Sequence, residues 1–484
     1  MVQTTSSRHP IVVDLDDALT NTSLFAEEQN QLVSHQPWRM AFMLPLLLGG
    51  RTQVPESLID TLQLDVETLP YNQKLLAWLR LQKAAGSQLI LITAGSSSIA
   101  GRIAQHLNLF DQVLVANADG SSAGLRKRIL LVQHFGEKGF DYVGAHKSST
   151  AVFSAANNGH LVSDSQRKIQ HTATLCNLIT VFSKGNPPRL TSLLKAVRLH
   201  QWMKNFLVFV PYLAAHQVQS SLSGTIQTVL AFVVFGLTAS SAYILNDLLD
   251  IEHDRHHSRK CRRPFAAGHL DLGLGWAMWP TLLVAAFVIA LCLLPPIFTI
   301  VLACYFSLTI AYSLRLKQIV MLDVLGLAML YTLRIIAGAV AVPVPLSFWL
   351  LAFSMFLFLS LAFIKRYGEL YGALGAGIRD QIRGRGYYPE DMSIVSSLGT
   401  AAGYIAVLVL ALYIQDKHTA ELYATPEIIW SACPFLLYWI SRAWLIAHRG
   451  EMHHDPIVFA LKDRVSWIIG SLVIGVFLLA RVMK

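Results

Sequence analysis

Nine apolar stretches, at about 205–219, 224–246, 274–294, 296–312, 319–341, 345–364, 396–414, 428–447 and 464–482, fill the last 280 or so residues of the chain. Most approach the ~20 residues that a helix needs to cross a bilayer, while the first and fourth are short for full crossings. Lipid offers no partner to a free peptide N–H or C=O, so a chain patterned this way is confined to a bundle of membrane-spanning helices. Composition agrees: 54% of the 484 residues are hydrophobic and 14% charged, against about 25% charged in an ordinary soluble domain. The net charge of +9 is spread through the loops between apolar runs, which favours membrane topology over nucleic acid. One set of loops carries Lys195, Arg198, Lys204, Arg315, Lys317, Lys365, Arg366, Arg449 and Lys462; Lys417 is the exception on the other side. The positive-inside rule then puts the N-terminal domain in the cytoplasm and the protein in the cell (inner) membrane. Five scattered cysteines without a Cys-x-x-Cys pair suit neither a disulfide framework nor a zinc site. No signal peptide is expected, because the early apolar run Ile11 to Val13 is cut short by Asp14.

Residues 1–180 are much more polar and form a separate domain; 181–484 form the membrane domain. Ile11-Val12-Val13 runs into Asp14-Leu15-Asp16, a buried strand ending in two carboxylates. Leu89 to Ile92 reads as a second strand, ending in Thr93, and Phe140 to Gly144 as a third, with a helix from Lys74 to Ala85 ended by Gly86. Strands alternating with helices predict a parallel α/β sheet. Its site is expected at the carboxyl ends of the strands. A breaker cluster, Pro187-Pro188, and a short interfacial helix from Leu193 to Leu199 lead into the membrane part.

The stretch Asn246-Asp247-Leu-Leu-Asp250-Ile-Glu252-His253-Asp254-Arg255 closes the second apolar run. Spacing of i, i+3, i+7 puts Asp247, Asp250 and Asp254 on one helix face. Such a cluster at the edge of a membrane needs a compensating cation. Mg²⁺ suits it, because that ion combines carboxylates with water and substrate phosphates. Arg255, Arg259, Lys260, Arg262 and Arg263 follow at once, so the combination reads as a diphosphate site at a membrane surface. The plainer alternative is a solvated helix end of mixed charge. In the fifth run Asp323 and Arg334 lie three turns apart on one face; a structural ion pair and substrate contact are both open for them.

Asn-Asp-x-x-Asp-x-x-x-Asp at the end of a transmembrane helix resembles the first aspartate motif of the UbiA superfamily of intramembrane transferases. The likeness extends over most of residues 190–484 and is closest to the branch that contains decaprenyl-phosphate phosphoribosyltransferase. It implies a UbiA-like all-α bundle in which Asn246, Asp247, Asp250 and Asp254 form the catalytic cluster and the three aspartates hold Mg²⁺. It also implies that Lys204, Arg255, Arg263, Tyr312, Lys317, Lys365, Arg366 and Glu369 contact substrate. Tyr312 and Lys317 are one residue further apart than the family's Tyr-x-x-x-Lys. The aromatic prenyltransferases carry a second Asp-x-x-x-Asp motif where this chain has Lys365-Arg366…Glu369. One acidic and one basic cluster suit a metal-bound pyrophosphate donor with a phosphorylated acceptor, although Lys365-Arg366 also reads as ordinary membrane anchoring. Residues 9–165 resemble the haloacid dehalogenase-like (HAD) phosphatases. That resemblance assigns Asp14 as nucleophile, Asp16 as general acid/base, Thr93 and Lys127 to phosphate. Gly144-Ala145-His146-Lys147-Ser148-Ser149 lacks the two late metal-binding carboxylates, so a degenerate structural or regulatory domain is expected rather than an active phosphatase.

Together these readings give a Mg²⁺-dependent membrane transferase with an isoprenoid lipid substrate and a pyrophosphate-bearing donor. Phosphoribosyl transfer to a polyprenyl phosphate leads; prenyl transfer to an aromatic acceptor such as 4-hydroxybenzoate is the alternative. A transporter would place its polar residues nearer the midplane. A mere anchor for the N-terminal domain would not need the intact acidic motif.

Overall fold

The computed structural model describes residues 9–35, 64–116, 122–215, 222–257, 259–342, 344–377, 379–382, 384–415, 423–452 and 455–482. Two compact units emerge: Met1–Arg198 with Tyr243–Thr281, and Leu199–Ala242 with Leu282–Lys484. The end of the second apolar run, with its acidic motif, therefore belongs with the N-terminal domain rather than with the rest of the membrane bundle.

In the first unit six parallel strands form one sheet: β1 (Ile11–Asp14), β2 (Leu89–Thr93), β3 (Gln112–Val115), β4 (Asp141–Gly144), β5 (Asn158–Val162) and β6 (Asn177–Phe182), in the order β3-β2-β1-β4-β5-β6. Alternate side chains serve two apolar cores: Ile11, Val13, Leu89 and Leu91 on one face, Val12, Ile90 and Ile92 on the other. Burial on both faces is why these strands read as unbroken apolar runs. The order reverses between β1 and β4, which opens a crevice at the carboxyl ends of the strands. Asp14 ends β1 and Thr93 ends β2, so the expected site falls there. A single π-helical turn, Leu15–Leu19, carries Asp16 immediately after β1. Then comes helix α1 (Leu24–His35). The first unit thus contains a parallel α/β domain, as the alternation of strands and helices predicts. Strands β3, β5 and β6 escaped the sequence reading because edge strands show partial exposure, as in the alternation along β6, and β5 begins on the polar Asn158-Gly159.

The membrane part is all-α. Among the described residues eight helices are long and apolar enough to cross a bilayer: α2 (Leu222–Leu249), α3 (Leu272–Leu293), α4 (Pro296–Leu314), α5 (Leu322–Ala341), α6 (Phe348–Gly375), α7 (Pro389–Tyr413), α8 (Pro426–His448) and α9 (Arg464–Val482). The expected first span, 205–219, is not a ninth such helix. Leu199–Phe209 is a 3₁₀ helix and only Val210–Ala214 is α-helical, with 216–219 outside the described residues. The 3₁₀ form rises about 2.0 Å per residue, so these two pieces extend about 30 Å, one bilayer core.

Helix α5 lies between two apolar clusters, giving Val324, Ala328, Tyr331 and Ile335 to one and Leu330, Ala337 and Ala341 to the other. The 3₁₀ segment packs against it. A Cβ on Gly338 would sit 2.0 Å from the Val208 carbonyl oxygen, and one on Gly236 of α2 2.6 Å from the Trp202 ring. Arg334 pins the same contact: its Nε donates to Asn205 Oδ1 (2.9 Å), Nη1 to the Leu330 carbonyl (2.5 Å) and Nη2 to the Tyr305 hydroxyl (2.8 Å). These contacts hold Arg334 by hydrogen bonds to neutral protein oxygens rather than by the ion pair that the sequence left open. Gly338→Ala should therefore destabilise the protein by about 1–3 kcal/mol through overpacking, even though alanine is the better helix former. Thermal unfolding in detergent would show it, and an unchanged or raised midpoint would contradict the close approach.

Candidate active site

Helix α2 stops at Leu249, Asp250 departs from helical geometry (φ −95°, ψ 12°), and a short helix, Ile251–His256, follows. Despite the break, Asp247 and Asp254 converge. Arg263 Nη1 donates to Asp247 Oδ1 at 3.1 Å and to Asp254 Oδ2 at 2.5 Å. The guanidinium of Arg198, itself left-handed at φ 53°, also meets Asp247. Asp250 accepts a hydrogen bond from Asn246 Nδ2 (3.0 Å). Asp247 and Asp254 are both 2% exposed, whereas Arg263 is 25% and Arg198 19% exposed.

Two buried carboxylate oxygens thus meet at one cationic nitrogen. That guanidinium supplies the compensating charge which a bound metal ion would otherwise bring to the pair. No group of three or more His, Cys, Asp or Glu side chains placed to share a metal occurs among the described residues. Mg²⁺ normally takes only one or two protein carboxylates and fills its octahedron with water and phosphate oxygens, so Asp247 and Asp254 fit it as a pair.

Burial pushes the Asp254 carboxyl up to about 6; Arg263 pulls it down and Asp247 adds to the rise. Because the native state then holds this proton more tightly than the unfolded chain, the group's contribution to stability declines as pH rises from about 4 to about 6. Cation binding has the opposite sign, since a protonated carboxyl cannot take a metal. Titration calorimetry should show Mg²⁺ affinity falling about tenfold per pH unit below about 6 and levelling above it; a flat profile from pH 5 to 7 would remove Asp254 from the site.

Arg255, expected at substrate, is placed elsewhere. Its Nη1 and Nη2 make a two-pronged pair with Glu27 of α1 (3.0 and 2.6 Å) and its Nε donates to the Ala266 carbonyl (3.0 Å).

In the second unit Lys204 and Lys365 converge on Asp455 Oδ2, at 3.1 and 3.5 Å. Lys204 also lies over the Tyr331 ring, 5.7 Å from its centre. Burial opposes charge on Asp455, yet the two lysines outweigh it and hold its carboxyl below the ordinary value. Arg366 is different. It is fully buried, paired with Asp323 Oδ2 (2.5 Å) and with Glu369, and lies 5.6 Å from the Tyr387 ring centre. The Tyr387 hydroxyl donates to Asp323 (2.7 Å) and accepts from the Met321 N–H (3.0 Å). Arg385 Nε approaches Glu369 at 3.4 Å, and its Nη1 reaches the Tyr312 hydroxyl (3.4 Å) and the Lys317 carbonyl (3.5 Å). So Arg366, Glu369 and Tyr312 join a network that fastens the loop after α6 to the start of α5, and for Asp323 the structural reading holds. Arg366→Ala would strand Asp323 without its charge partner and should cost about 3–5 kcal/mol of stability. Lys365→Ala, at a partly exposed site, should cost less than about 1 kcal/mol. Equal unfolding midpoints in detergent for the two variants would refute this division.

At the crevice where β1 and β2 end, Lys127 Nζ donates to Asp14 Oδ1 (2.6 Å) and Asp16 Oδ2 (3.4 Å), and the Thr93 hydroxyl to Asp16 Oδ2 (3.2 Å). The four expected residues are therefore together. Asp14 Oδ2, however, takes the hydroxyls of Tyr142 (2.6 Å) and Ser149 (3.3 Å). Both oxygens of the would-be nucleophile are occupied, and Asp14 is wholly buried. Burial raises its carboxyl above the ordinary value against the pull of Lys127. Ser149 stands where the resemblance called for a metal-binding acid. The side chains of His146 and Lys147 lie outside the described residues.

Residues 206–479 match the UbiA prenyltransferase family. The chain belongs to that family. Relatives include protein y4nM of Sinorhizobium fredii, 34% identical over 97% of this chain and 91% of its own length. Nodulation protein NoeC of Azorhizobium caulinodans is 40% identical over 57% of this chain and 88% of its own. A decaprenyl-phosphate phosphoribosyltransferase of Mycolicibacterium smegmatis is 34% identical over 59% of this chain and 91% of its own. The protein is thus a UbiA-family integral membrane transferase. Sequence reasoning missed Glu27, Asn30, Tyr142 and Ser149 as contributors. A polar residue on a surface helix of one domain carries no mark of a partner more than 200 residues away.

Proposed function

We propose that this UbiA-family member transfers phosphoribose from phosphoribosyl pyrophosphate to a polyprenyl phosphate, with Mg²⁺ held by Asp247 and Asp254. The observation that carries the reading is the contrast between the two charge clusters. Asp247 and Asp254 meet at one cation, as a metal-bound pyrophosphate requires. Lys204 and Lys365 outnumber the single Asp455 between them, leaving one positive charge in excess. A second carboxylate pair would suit a metal-bridged prenyl diphosphate; a cationic cluster suits an anionic acceptor. Identity of 32–34% to proteins named decaprenyl-phosphate phosphoribosyltransferase supports the same donor and acceptor.

When bound, Mg²⁺ would neutralise charge that builds on the pyrophosphate as the bond to the sugar breaks. Arg263 and Arg198, partly exposed, are free to turn from the carboxylates to the pyrophosphate oxygens. Lys204 and Lys365 carry the charge that suits a phosphate group; in the transfer an oxygen of the acceptor's phosphate would attack the anomeric carbon and displace pyrophosphate. No protein nucleophile is needed; orientation and charge suffice. Under this reading the transfer occurs at the cytoplasmic face of the cell membrane, Asp250 and Asn246 support the acidic pair, and the N-terminal domain hydrolyses nothing.

Purified protein should move label from phosphoribosyl pyrophosphate into a polyprenyl phosphate in the presence of Mg²⁺. Asp247→Asn and Asp254→Asn should lower the rate at least a hundredfold, and no orthophosphate should appear. Consumption of prenyl diphosphate with 4-hydroxybenzoate, and none of phosphoribosyl pyrophosphate, would sink the proposal in favour of aromatic prenylation.

A further inference from the structure

Helix α1 of the HAD-like domain reaches the acidic motif at two places. Asn30 Nδ2 donates to the Leu248 carbonyl (2.8 Å), while Asn30 Oδ1 accepts from Trp276 Nε1 (3.1 Å). Leu248 lies in the last turn of α2, where carbonyls lose their helical partners, and the asparagine replaces one of them. One turn earlier on α1, Glu27 takes Arg255 in a bidentate pair whose side chains are 2% and 5% exposed. The Thr22 hydroxyl donates to Glu27 Oε1 (2.6 Å) and fixes its orientation.

Arg255 passes that restraint on. Its Nε donates to the Ala266 carbonyl, in the loop that presents Arg263. That loop is compact: Ala267 N–H bonds the Arg263 carbonyl (2.9 Å) and His269 N–H the Pro264 carbonyl (2.8 Å). Gly268, at φ +70°, lies so close to the domain that a Cβ would come within 2.9 Å of Asn21 and 3.2 Å of Pro70. A line of direct contacts therefore runs from Thr22 through Glu27, Arg255 and the Ala266 carbonyl to Arg263, and so to Asp247 and Asp254.

We propose that Glu27, oriented by Thr22, is a positioning residue for the pyrophosphate site: through Arg255 it sets the loop that carries Arg263. The HAD-like domain is then a working part of the transferase. The inference rests on the reading above only for the ligand, which is tested here as Mg²⁺ with inorganic pyrophosphate.

The full-length protein in detergent is the material, with two variants. Glu27→Gln breaks the charge pair. Thr22→Val removes only the hydroxyl that orients it. Calorimetry with Mg²⁺-pyrophosphate should show affinity lowered about tenfold in Glu27→Gln and about threefold in Thr22→Val. The unfolding midpoint of Thr22→Val should stay near wild type, and with whichever pyrophosphate donor the enzyme consumes, KM should rise more than kcat falls. A structural role alone would lower stability and leave the affinity of the folded fraction unchanged. Wild-type affinity in folded Thr22→Val and Glu27→Gln overturns the inference, as does failure of wild-type protein to bind Mg²⁺-pyrophosphate. If Glu27→Gln does not fold, Thr22→Val decides alone. Turnover of a different donor with the same affinity pattern would overturn the phosphoribosyl reading and leave this inference standing.

Discussion

Two carboxylates buried side by side at a membrane edge cannot both ionise without a cation between them. Asp247 and Asp254 meet that condition through one nitrogen of Arg263, and much of the surrounding structure follows from it. The helix Arg189–Val197 ends in a left-handed residue, Arg198, that brings a second guanidinium to Asp247. The basic loop is folded tightly on the Pro264 carbonyl, which aims Arg263 back at the motif. The motif also survives a break in its helix: the turn at Asp250 separates α2 from the next helix, and residues seven apart still converge.

Exposure separates the charges enclosed in the fold from those that water still reaches. Arg366 has no exposed surface and is matched by Asp323 and Glu369; removing such a partner leaves a buried charge with nothing to meet it. Arg334 is likewise enclosed, with each of its nitrogens on a protein oxygen. Arg198, Arg263 and Lys365 keep between a fifth and a third of their side chains exposed, so they can change partner without stranding a charge. Arg255 is in the first class and Arg263 in the second, although both lie in the same basic run.

How much of this was legible in the sequence follows from what each signal measures. Apolar run length reports burial in lipid, and it located the eight long helices. At 205–219 it predicted a further span, whereas Leu199–Phe209 is a 3₁₀ helix, seated against Gly236 and Gly338, where a Cβ would collide with it, and only Val210–Ala214 is α-helical. Helical spacing located the acidic motif, since i and i+7 share a face whether or not Asp250 bends the axis. It could not tell Lys365 from Arg366: adjacent residues on a helix point about 100° apart, and only packing shows that one meets Asp455 and the other Asp323. Contacts between distant segments, such as Glu27 with Arg255, have no periodicity and left no trace.

The two acidic sites of the chain have diverged in what holds them. At Asp14 every partner is tied in place: Lys127 is buried between two carboxylates, and the Tyr142 and Ser149 hydroxyls close the oxygen that would have to attack or bind metal. Opening that site means desolvating a lysine or abandoning hydrogen bonds in a dry core, both expensive. At Asp247 and Asp254 the partners are arginines at the surface, and water or phosphate can replace one carboxylate contact as it is lost. The first arrangement is closed to water; the second keeps its cations partly exposed. Domain and motif are joined through α1, which follows directly on the closed site and ends against the open one. A buried, closed carboxylate cluster and one whose cations are partly exposed thus lie at the two ends of one helix, with the Glu27–Arg255 pair as the contact that fixes Arg255.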